Sequence, residues 1–160
     1  MSVGDNLIVS NIASFTNKLG IINEKKVKEH CKELIKKYLV KTKDENQKIK
    51  GLSGGNIQKA IVAREFSAPS ELLIISQPTR GVDVGAIEFI HKKILEKRED
   101  GKGILLVSAD LSELIGLSDR ILVMHKGKVV ADLNNTKRVS EEELGLYMLG
   151  VKTKEVSANE

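Results

Sequence analysis

Two short apolar runs separated by one helical segment most restrict the folds open to this 160-residue chain. The first run, ELLIIS, ends at Ser76, and the second, GILLVSA, begins at Gly103. Both runs are typical of strands buried on both faces of a sheet. Between them, Asp83 is the expected N-cap of a helix that ends before Gly101. Strand, helix and strand in this order predict an α/β fold with a parallel pair of strands.

The other segments predict helices in the first sixty residues and a hairpin near the end. The clearest helix is NEKKVKEHCKELIKKYLV, with Asn23 as its N-cap and its apolar residues on one face. A weaker helix is expected over Gly4–Phe15. After the second strand we expect a short helix (LSELIGLS), a hairpin that turns at Gly127, and a last helix capped by Ser140. Residues 151–160 are interpreted as a flexible tail.

Composition narrows the class of protein. Hydrophobic residues make up 41% of the chain and charged residues 30%, as in an ordinary globular protein. No apolar run approaches the ~20 residues of a membrane-spanning helix, and the N-terminus lacks the features of a signal peptide, so a cytoplasmic location is expected. A single cysteine and three histidines supply no metal-ligand cluster. The net charge of +4 comes from dispersed lysines with few aromatic residues, which argues against nucleic-acid binding.

The stretch that says most about function is GLSGGNIQKAIVARE, which runs from Gly51 to Glu65. Ser53 is positioned to cap the helix that follows, and Gly54 and Gly55 carry no Cβ, so another group can approach the backbone closely. Exposed amides at a helix N-terminus suit a phosphate. On these residues alone, a capped helix start after a flexible loop is the competing interpretation.

Five blocks, in this order and spacing, resemble the second half of an ABC-type ATPase domain: LSGGNIQKAIVARE, the LLII strand, QPTRGVD, LLVSADLSEL and LSDRILVMHKGKVV. More narrowly, residues 1–150 resemble the C-terminal ATPase half of importers for ribose, galactose and nucleosides. The resemblance implies a partial P-loop NTPase core, whose parallel sheet lacks the Walker A strand, and an α-helical signature subdomain. Residues 1–62 would form that subdomain, and residues 63–150 the C-terminal part of the RecA-like core.

The signature is the best preserved part of the resemblance. Ser53, Gly54, Gly55 and Asn56 fall on residues that, in the family, bind a nucleotide held by the partner ATPase half. Asp83 falls on the aspartate of the D-loop. The resemblance therefore implies that this chain completes an ATP site whose other residues belong to a partner.

Three other positions depart from the family. Ser76 and Gln77 stand where the Walker B strand has a Mg²⁺-binding Asp and a water-polarising Glu, and Ala109 stands where the H-loop has a histidine. Neutral Gln can orient water but cannot accept its proton, and losing a general base typically costs ~10²–10⁴ in rate. The chain's own nucleotide site is therefore interpreted as degenerate, with no catalytic residue and no metal ligand.

The sequence contains no G-x-x-x-x-G-K-[ST] phosphate loop. It also lacks the Q-loop, so the chain is interpreted as the second part of an ATPase half. The resemblance implies ATP and Mg²⁺ in the complete transporter, but neither bound nucleotide nor ATPase activity for this fragment alone. The implied partners are the other ATPase half, the membrane permease subunits and, indirectly, a solute-binding protein, at the cytoplasmic face of the cell membrane. The slot left by the missing strand also predicts a homodimer of the isolated fragment.

Two other interpretations stay open on sequence grounds. One is a fragment of a soluble ABC-type ATPase that acts on ribosomes or DNA, although such relatives keep the Asp-Glu pair that is missing at Ser76 and Gln77. The other is a non-catalytic interaction module of the same ancestry. Asn6–Phe15 is the candidate contact for the coupling helices of a permease, with simple packing of the helical lobe as the alternative.

Overall fold

The structure, a computed structural model, describes residues 1–134 and 136–153 and has a mixed α/β fold, as the sequence predicts. The elements are α1 (Val3–Ile8), α2 (Glu24–Lys37), α3 (Gly54–Ser67), β1 (Leu72–Ser76), α4 (Val84–Glu99), β2 (Gly103–Val107), α5 (Leu111–Leu117), β3 (Arg120–His125), β4 (Lys128–Asn134) and α6 (Glu141–Met148). Within those residues, no helix has the length and apolar character of a membrane span. Most of the predicted tail, from residue 154 onward, lies outside the described residues.

The predicted parallel pair is confirmed. Strands β1 and β2 form a two-stranded sheet. The Gly103 N–H donates to the Glu71 carbonyl at 2.9 Å, and the Gln77 N–H donates to the Val107 carbonyl at 2.8 Å. Because residue numbers rise in the same direction on both strands, the strands run parallel.

The predicted hairpin is also confirmed. Strands β3 and β4 pair antiparallel from Arg120 opposite Asn134 to His125 opposite Lys128. The turn residue Gly127 has φ +75°, and the residue before it has φ +47°. Two positive φ values in a two-residue loop match the right-handed twist of the flanking strands.

The chain packs as two compact units. The first comprises Met1–Leu73 and Pro78–Ile104. In this unit α3 packs on α1 and α4, and α2 packs on α1. Its buried side chains include Val3, Cys31, Leu34, Tyr38, Ala63 and Ile90. The predicted subdomain limits at residues 62 and 150 stay predictions.

The second unit comprises Ile74–Gln77 and the described residues from Leu105 onward. Its core lies between the β3–β4 hairpin and α6 and consists of Ile121, Val123, Ala131, Leu133, Leu144 and Tyr147. Helix α6 begins where predicted, because the Glu143 N–H donates to the Ser140 Oγ at 3.1 Å.

Two predictions about local structure are wrong. The strands are not buried on both faces: Leu72 is 57% exposed and Ile74 is 69% exposed. A run of apolar residues indicates a strand, but it does not show which segments cover the faces of that strand. This explains the error. The predicted helix over Gly4–Phe15 is also not continuous, since α1 ends at Ile8 and a 3-10 segment follows with non-helical angles at Asn11.

Candidate functional site

The signature residues lie at the start of α3. Ser53 has extended backbone angles and occupies the N-cap position, and Gly54 is the first helical residue. Gly54 is exposed, whereas Gly55 is buried. The first backbone N–H groups of a helix have no partner inside the helix, so this turn presents donors to whatever lies in front of it.

The predicted capping bond of Ser53 is wrong. Its side chain makes no hydrogen bond to the backbone of α3. Instead, the Ser53 Oγ accepts a hydrogen bond from the Asn56 Nδ2 at 2.9 Å. The side chain of Asn56 competes for the oxygen that would otherwise cap the helix, and the first-turn amides are therefore left to another acceptor.

Lys41 also belongs to this cluster, and sequence reasoning missed it. Its backbone N–H donates to the Asn56 Oδ1 at 2.7 Å. The connection joins residues that are fifteen positions apart, because Lys41 lies in a polar loop that has no periodicity and Asn56 lies in the first turn of α3. No local signal in the sequence points to it.

Asp83, which the sequence resemblance places on the D-loop position, lies against Gly55 of the predicted signature. Its Oδ1 accepts a hydrogen bond from the Ala86 N–H at 2.9 Å and caps α4, as predicted. A Cβ placed on Gly55 would lie 2.7 Å from the Asp83 Oδ2. A Cβ on Gly54 would meet nothing nearer than the Gly81 carbonyl at 3.7 Å, which is an ordinary contact. The two glycines therefore serve different purposes: Gly55 leaves room for the Asp83 carboxylate, whereas Gly54 is exposed and would accept a Cβ without a clash.

The residues that the sequence predicts to form a degenerate nucleotide site are partly brought together in the second unit. The Ala109 N–H donates to the Gln77 Oε1 over 3.4 Å, which is a long hydrogen bond. Gln77 adopts φ +50°, an uncommon backbone angle for a residue other than glycine. Ser76 ends β1 and is exposed. Among the described residues, no group of three or more His, Cys, Asp or Glu side chains is arranged to hold a metal ion.

Comparison with known proteins finds import ATP-binding proteins. The chain is 44% identical over 154 residues to the guanosine import ATP-binding protein NupO of Bacillus subtilis, a match that covers 96% of this chain and 30% of that protein. It is 42% identical over 134 residues to the nucleoside import ATP-binding protein NupA of Lactococcus lactis, with 84% and 26% covered. It is 42% identical over 142 residues to the ribose import ATP-binding protein RbsA of Clostridium tetani, with 89% and 28% covered. No protein-family model matches the chain.

These matches leave most of each relative uncovered, since the chain spans 26–30% of their lengths. Solved structures of ATP-binding cassettes share the fold. A nucleotide-free ATP-binding cassette from an ABC transporter matches with a TM-score of 0.68 and 23% identity, over 94% of this chain and 59% of that one. A dimeric, post-hydrolysis cassette bound to ADP and Pi matches with a TM-score of 0.70 and 21% identity, over 84% of this chain and 56% of that one.

Proposed function

We propose, from the premise that this chain belongs to the ABC-type ATPases and is homologous to part of the nucleoside, ribose and galactose import ATP-binding proteins, that it forms part of the ATP-binding subunit of a sugar or nucleoside importer. In that role its signature completes an ATP site whose phosphate loop and carboxylates belong to the partner ATPase half. The observation that carries the proposal is the start of α3, where the Ser53 side chain leaves the first-turn amides uncapped and Gly54 is exposed.

The start of α3 fits a triphosphate. Unpaired N–H groups and the positive end of the helix dipole both favour an anion at this point. Because Gly54 is exposed and has no Cβ, a phosphate oxygen can approach its amide closely. Fixed donors of this kind stabilise charge that develops on a transferred phosphoryl group without any titrating side chain.

The chain's own Walker B and H-loop positions do not fit catalysis. ATP hydrolysis at such a site would use Mg²⁺ to neutralise phosphate charge and a carboxylate to polarise water. Ser76 and Gln77 carry no negative charge, and the Gln77 side chain accepts a hydrogen bond from the Ala109 N–H. We therefore assign hydrolysis to the composite site that the signature serves.

The proposed partners follow from the same premise. They are the second ATPase half and the membrane permease subunits at the cytoplasmic face of the membrane, with a solute-binding protein on the far side of the permease. The candidate permease contact is Asn6–Phe15, in which Val9 and Ile12 are each 45% exposed. Leu7, Ile8 and Phe15 in the same stretch are buried, so these three side chains pack the helical lobe and only the exposed ones remain as candidates for the contact.

The proposal is tested by Gly54→Leu in the assembled importer. The nearest atom to a Cβ at this exposed position is the Gly81 carbonyl oxygen at 3.7 Å, an ordinary contact, so the variant should keep its fold while ATP hydrolysis and transport are lost. Gly116→Leu is the matched control, because Gly116 is also an exposed helical glycine with open space around it. Normal ATP hydrolysis by Gly54→Leu would overturn the proposal.

A second variant tests the degenerate site. Replacing Ser76 by Asp and Gln77 by Glu restores the carboxylates but leaves Ala109 and the composite site unchanged. We expect ATP hydrolysis by the assembled importer to change less than twofold. A large increase would contradict the assignment of hydrolysis to the partner's phosphate loop.

A further inference from the structure

We propose that Asn56 is a positioning residue: its side-chain amide sets the direction in which the Ser53 hydroxyl donates its proton. The inference rests on the proposed function, in which Ser53 contacts the terminal phosphate of ATP. It gives Asn56 an indirect role through Ser53, in place of the direct nucleotide contact that the resemblance implies.

The orientation of the Asn56 amide follows from its contact with Lys41. A backbone N–H can only donate. The atom of Asn56 that lies 2.7 Å from the Lys41 nitrogen must therefore be the amide oxygen. The other end of the amide is then the NH₂ group, which lies 2.9 Å from the Ser53 Oγ and must donate to it.

This donation decides the role of the Ser53 hydroxyl. A serine hydroxyl has one proton and two acceptor lone pairs. With one lone pair occupied by Asn56, the proton must point elsewhere, and the Ser53 side chain makes no capping bond to α3. The hydroxyl is thus oriented as a donor, alongside the first-turn amides. A phosphate oxygen accepts hydrogen bonds, so this polarity matches the proposed ligand.

The hydrogen bonds that join Lys41, Asn56 and Ser53 depend on the C-terminal end of α2, which holds the Lys41 backbone in place. Leu39 adopts φ +51°, and the Val40 N–H donates back to the Ile35 carbonyl at 3.0 Å. This arrangement closes the helix as a Schellman motif. It also fixes the direction of the next residue, so that the Lys41 N–H faces Asn56.

The test is a double-mutant cycle in the assembled importer with Ser53→Ala and Asn56→Ala. The readout is the equilibrium affinity for a non-hydrolysable ATP analogue and for ADP. A hydrogen bond to a charged oxygen is worth enough to change affinity by about 10- to 100-fold. We expect each single variant to weaken analogue binding by about that factor and to leave ADP binding unchanged, because ADP lacks the terminal phosphate.

The double variant carries the decisive result. If Asn56 acts through Ser53, Asn56→Ala has no further effect once Ser53 is alanine. Additive losses would overturn the inference, as would an equal loss of ADP binding in Asn56→Ala, which would mark a merely structural role. If Ser53→Ala itself leaves analogue binding unchanged, the proposed function fails rather than the role of Asn56 alone.

Asn56→Asp provides a second measurement with a side chain of the same shape. A carboxylate still accepts from the Lys41 N–H, but it also accepts from the Ser53 hydroxyl and reverses its direction. We expect Asn56→Asp to weaken analogue binding at least as much as Asn56→Ala. The same change in a Ser53→Ala background measures the effect of the added charge alone. If the two backgrounds gave equal losses, the inference would be wrong.

Discussion

Gly54 and Gly55 are neighbours in the chain, but their surroundings are opposite. Gly54 is exposed and has no atom nearer than 3.7 Å to the position of a Cβ, whereas Gly55 is buried against the carboxylate of Asp83. Glycine therefore suits these two positions for two separate reasons. One is access for an outside group, and the other is close packing of the α3 and α4 termini within the chain.

Because their surroundings differ, Gly54→Ala and Gly55→Ala should change the free energy of unfolding by different amounts. In Gly55→Ala the new Cβ would lie 2.7 Å from the Asp83 Oδ2 and 3.1 Å from the Ala86 Cβ. Overpacking of this kind costs about 1–3 kcal/mol of the free energy of unfolding. Gly54→Ala, with its nearest atom at 3.7 Å, should be neutral or slightly stabilising. Urea unfolding of both variants checks the difference.

The same urea unfolding experiments can test whether the Asp83 carboxylate causes the loss of stability in Gly55→Ala. Ser at position 83 still caps a helix but is shorter than Asp. Adding Asp83→Ser to Gly55→Ala should therefore recover part of the lost stability, while Ala86 keeps the recovery incomplete. Equal stability of Gly54→Ala and Gly55→Ala would show that Asp83 does not pack on Gly55 in solution.

The buried thiol of Cys31 should make the protein less stable at alkaline pH. The Cys31 side chain is fully buried. Burial, and next the carboxylates of Glu45 and Asp5, raise the pKa of the Cys31 thiol from its ordinary 9.0 to about 11. The folded state therefore holds this proton more tightly than the unfolded state. The corresponding stability is fully present below pH 9 and is lost as the pH rises towards about 11.

The difference between a pKa of 9.0 and one of about 11 corresponds to at most about 3 kcal/mol of the free energy of unfolding. We expect Cys31→Val to flatten the fall in unfolding free energy between pH 9 and pH 11, whatever its effect on stability at pH 7. The pKa of Tyr38 is also raised by burial, to about 12, so some alkaline loss remains in the variant. Identical slopes for the two proteins would show that the thiol titrates alike in the folded and unfolded states.

At the scale of elements, α2 ends with a residue that is poorly suited to its backbone angles. Leu39 adopts φ +51°, and its side chain is 59% exposed, so it gains little from burial. The left-handed region costs a residue with a Cβ about 1 kcal/mol, a cost that glycine avoids. Leu39→Gly should therefore raise the free energy of unfolding by roughly that amount.

The control for this prediction is Lys36→Gly, one turn earlier in α2. Lys36 is exposed and helical, so glycine there should lower stability by about 0.5–1 kcal/mol. Thermal unfolding of the two variants should thus shift in opposite directions. A fall in both melting temperatures would mean that the exposed Leu39 side chain contributes more than its backbone strain costs.

The helix caps show which parts of the fold a sequence can predict. Asn23 and Asp83 were predicted as N-caps, and each accepts a hydrogen bond from the backbone N–H three residues later. Both bonds are local, so nothing distant decides them. Ser53 follows the same rule in sequence but not in structure, because Asn56 takes its oxygen and Lys41 in turn orients Asn56.

Strands β1 and β2 also show that a local sequence pattern does not reveal which distant segments of the chain cover a strand. The positions of β1 and β2 and their parallel pairing follow from apolar runs and the helix between them. The exposure of Leu72 and Ile74 could not be derived in this way. Burial depends on which segments cover a face, and an apolar pattern is the same whether or not they are present.

At the scale of the whole molecule, the strands among residues 1–134 and 136–153 form two separate sheets of two strands each. Among the described residues, each strand therefore has one edge without a β partner. Strands β1 and β2 also expose apolar side chains at alternate positions, namely Leu72, Ile74, Leu105 and Val107. Unpaired edges beside exposed apolar residues are the features through which sheets associate with other chains.

We therefore expect this chain on its own to associate with itself as its concentration rises, as the homodimer prediction requires. Replacing Ile74 and Val107 by threonine removes exposed apolar surface but keeps β-branched residues that suit a strand. The double variant should have a lower average mass in light scattering over a concentration series, at an unchanged melting temperature.

Leu73→Thr is the matched control, because Leu73 lies in the same strand but is only 8% exposed. A hydroxyl in that buried position costs stability without relieving the exposed face, so this variant should melt earlier and associate at least as strongly as the parent. A parent chain that remains strictly monomeric at every concentration would contradict the prediction. The open edges would then be tolerated in solution, and association would depend on the partner ATPase half rather than on a second copy.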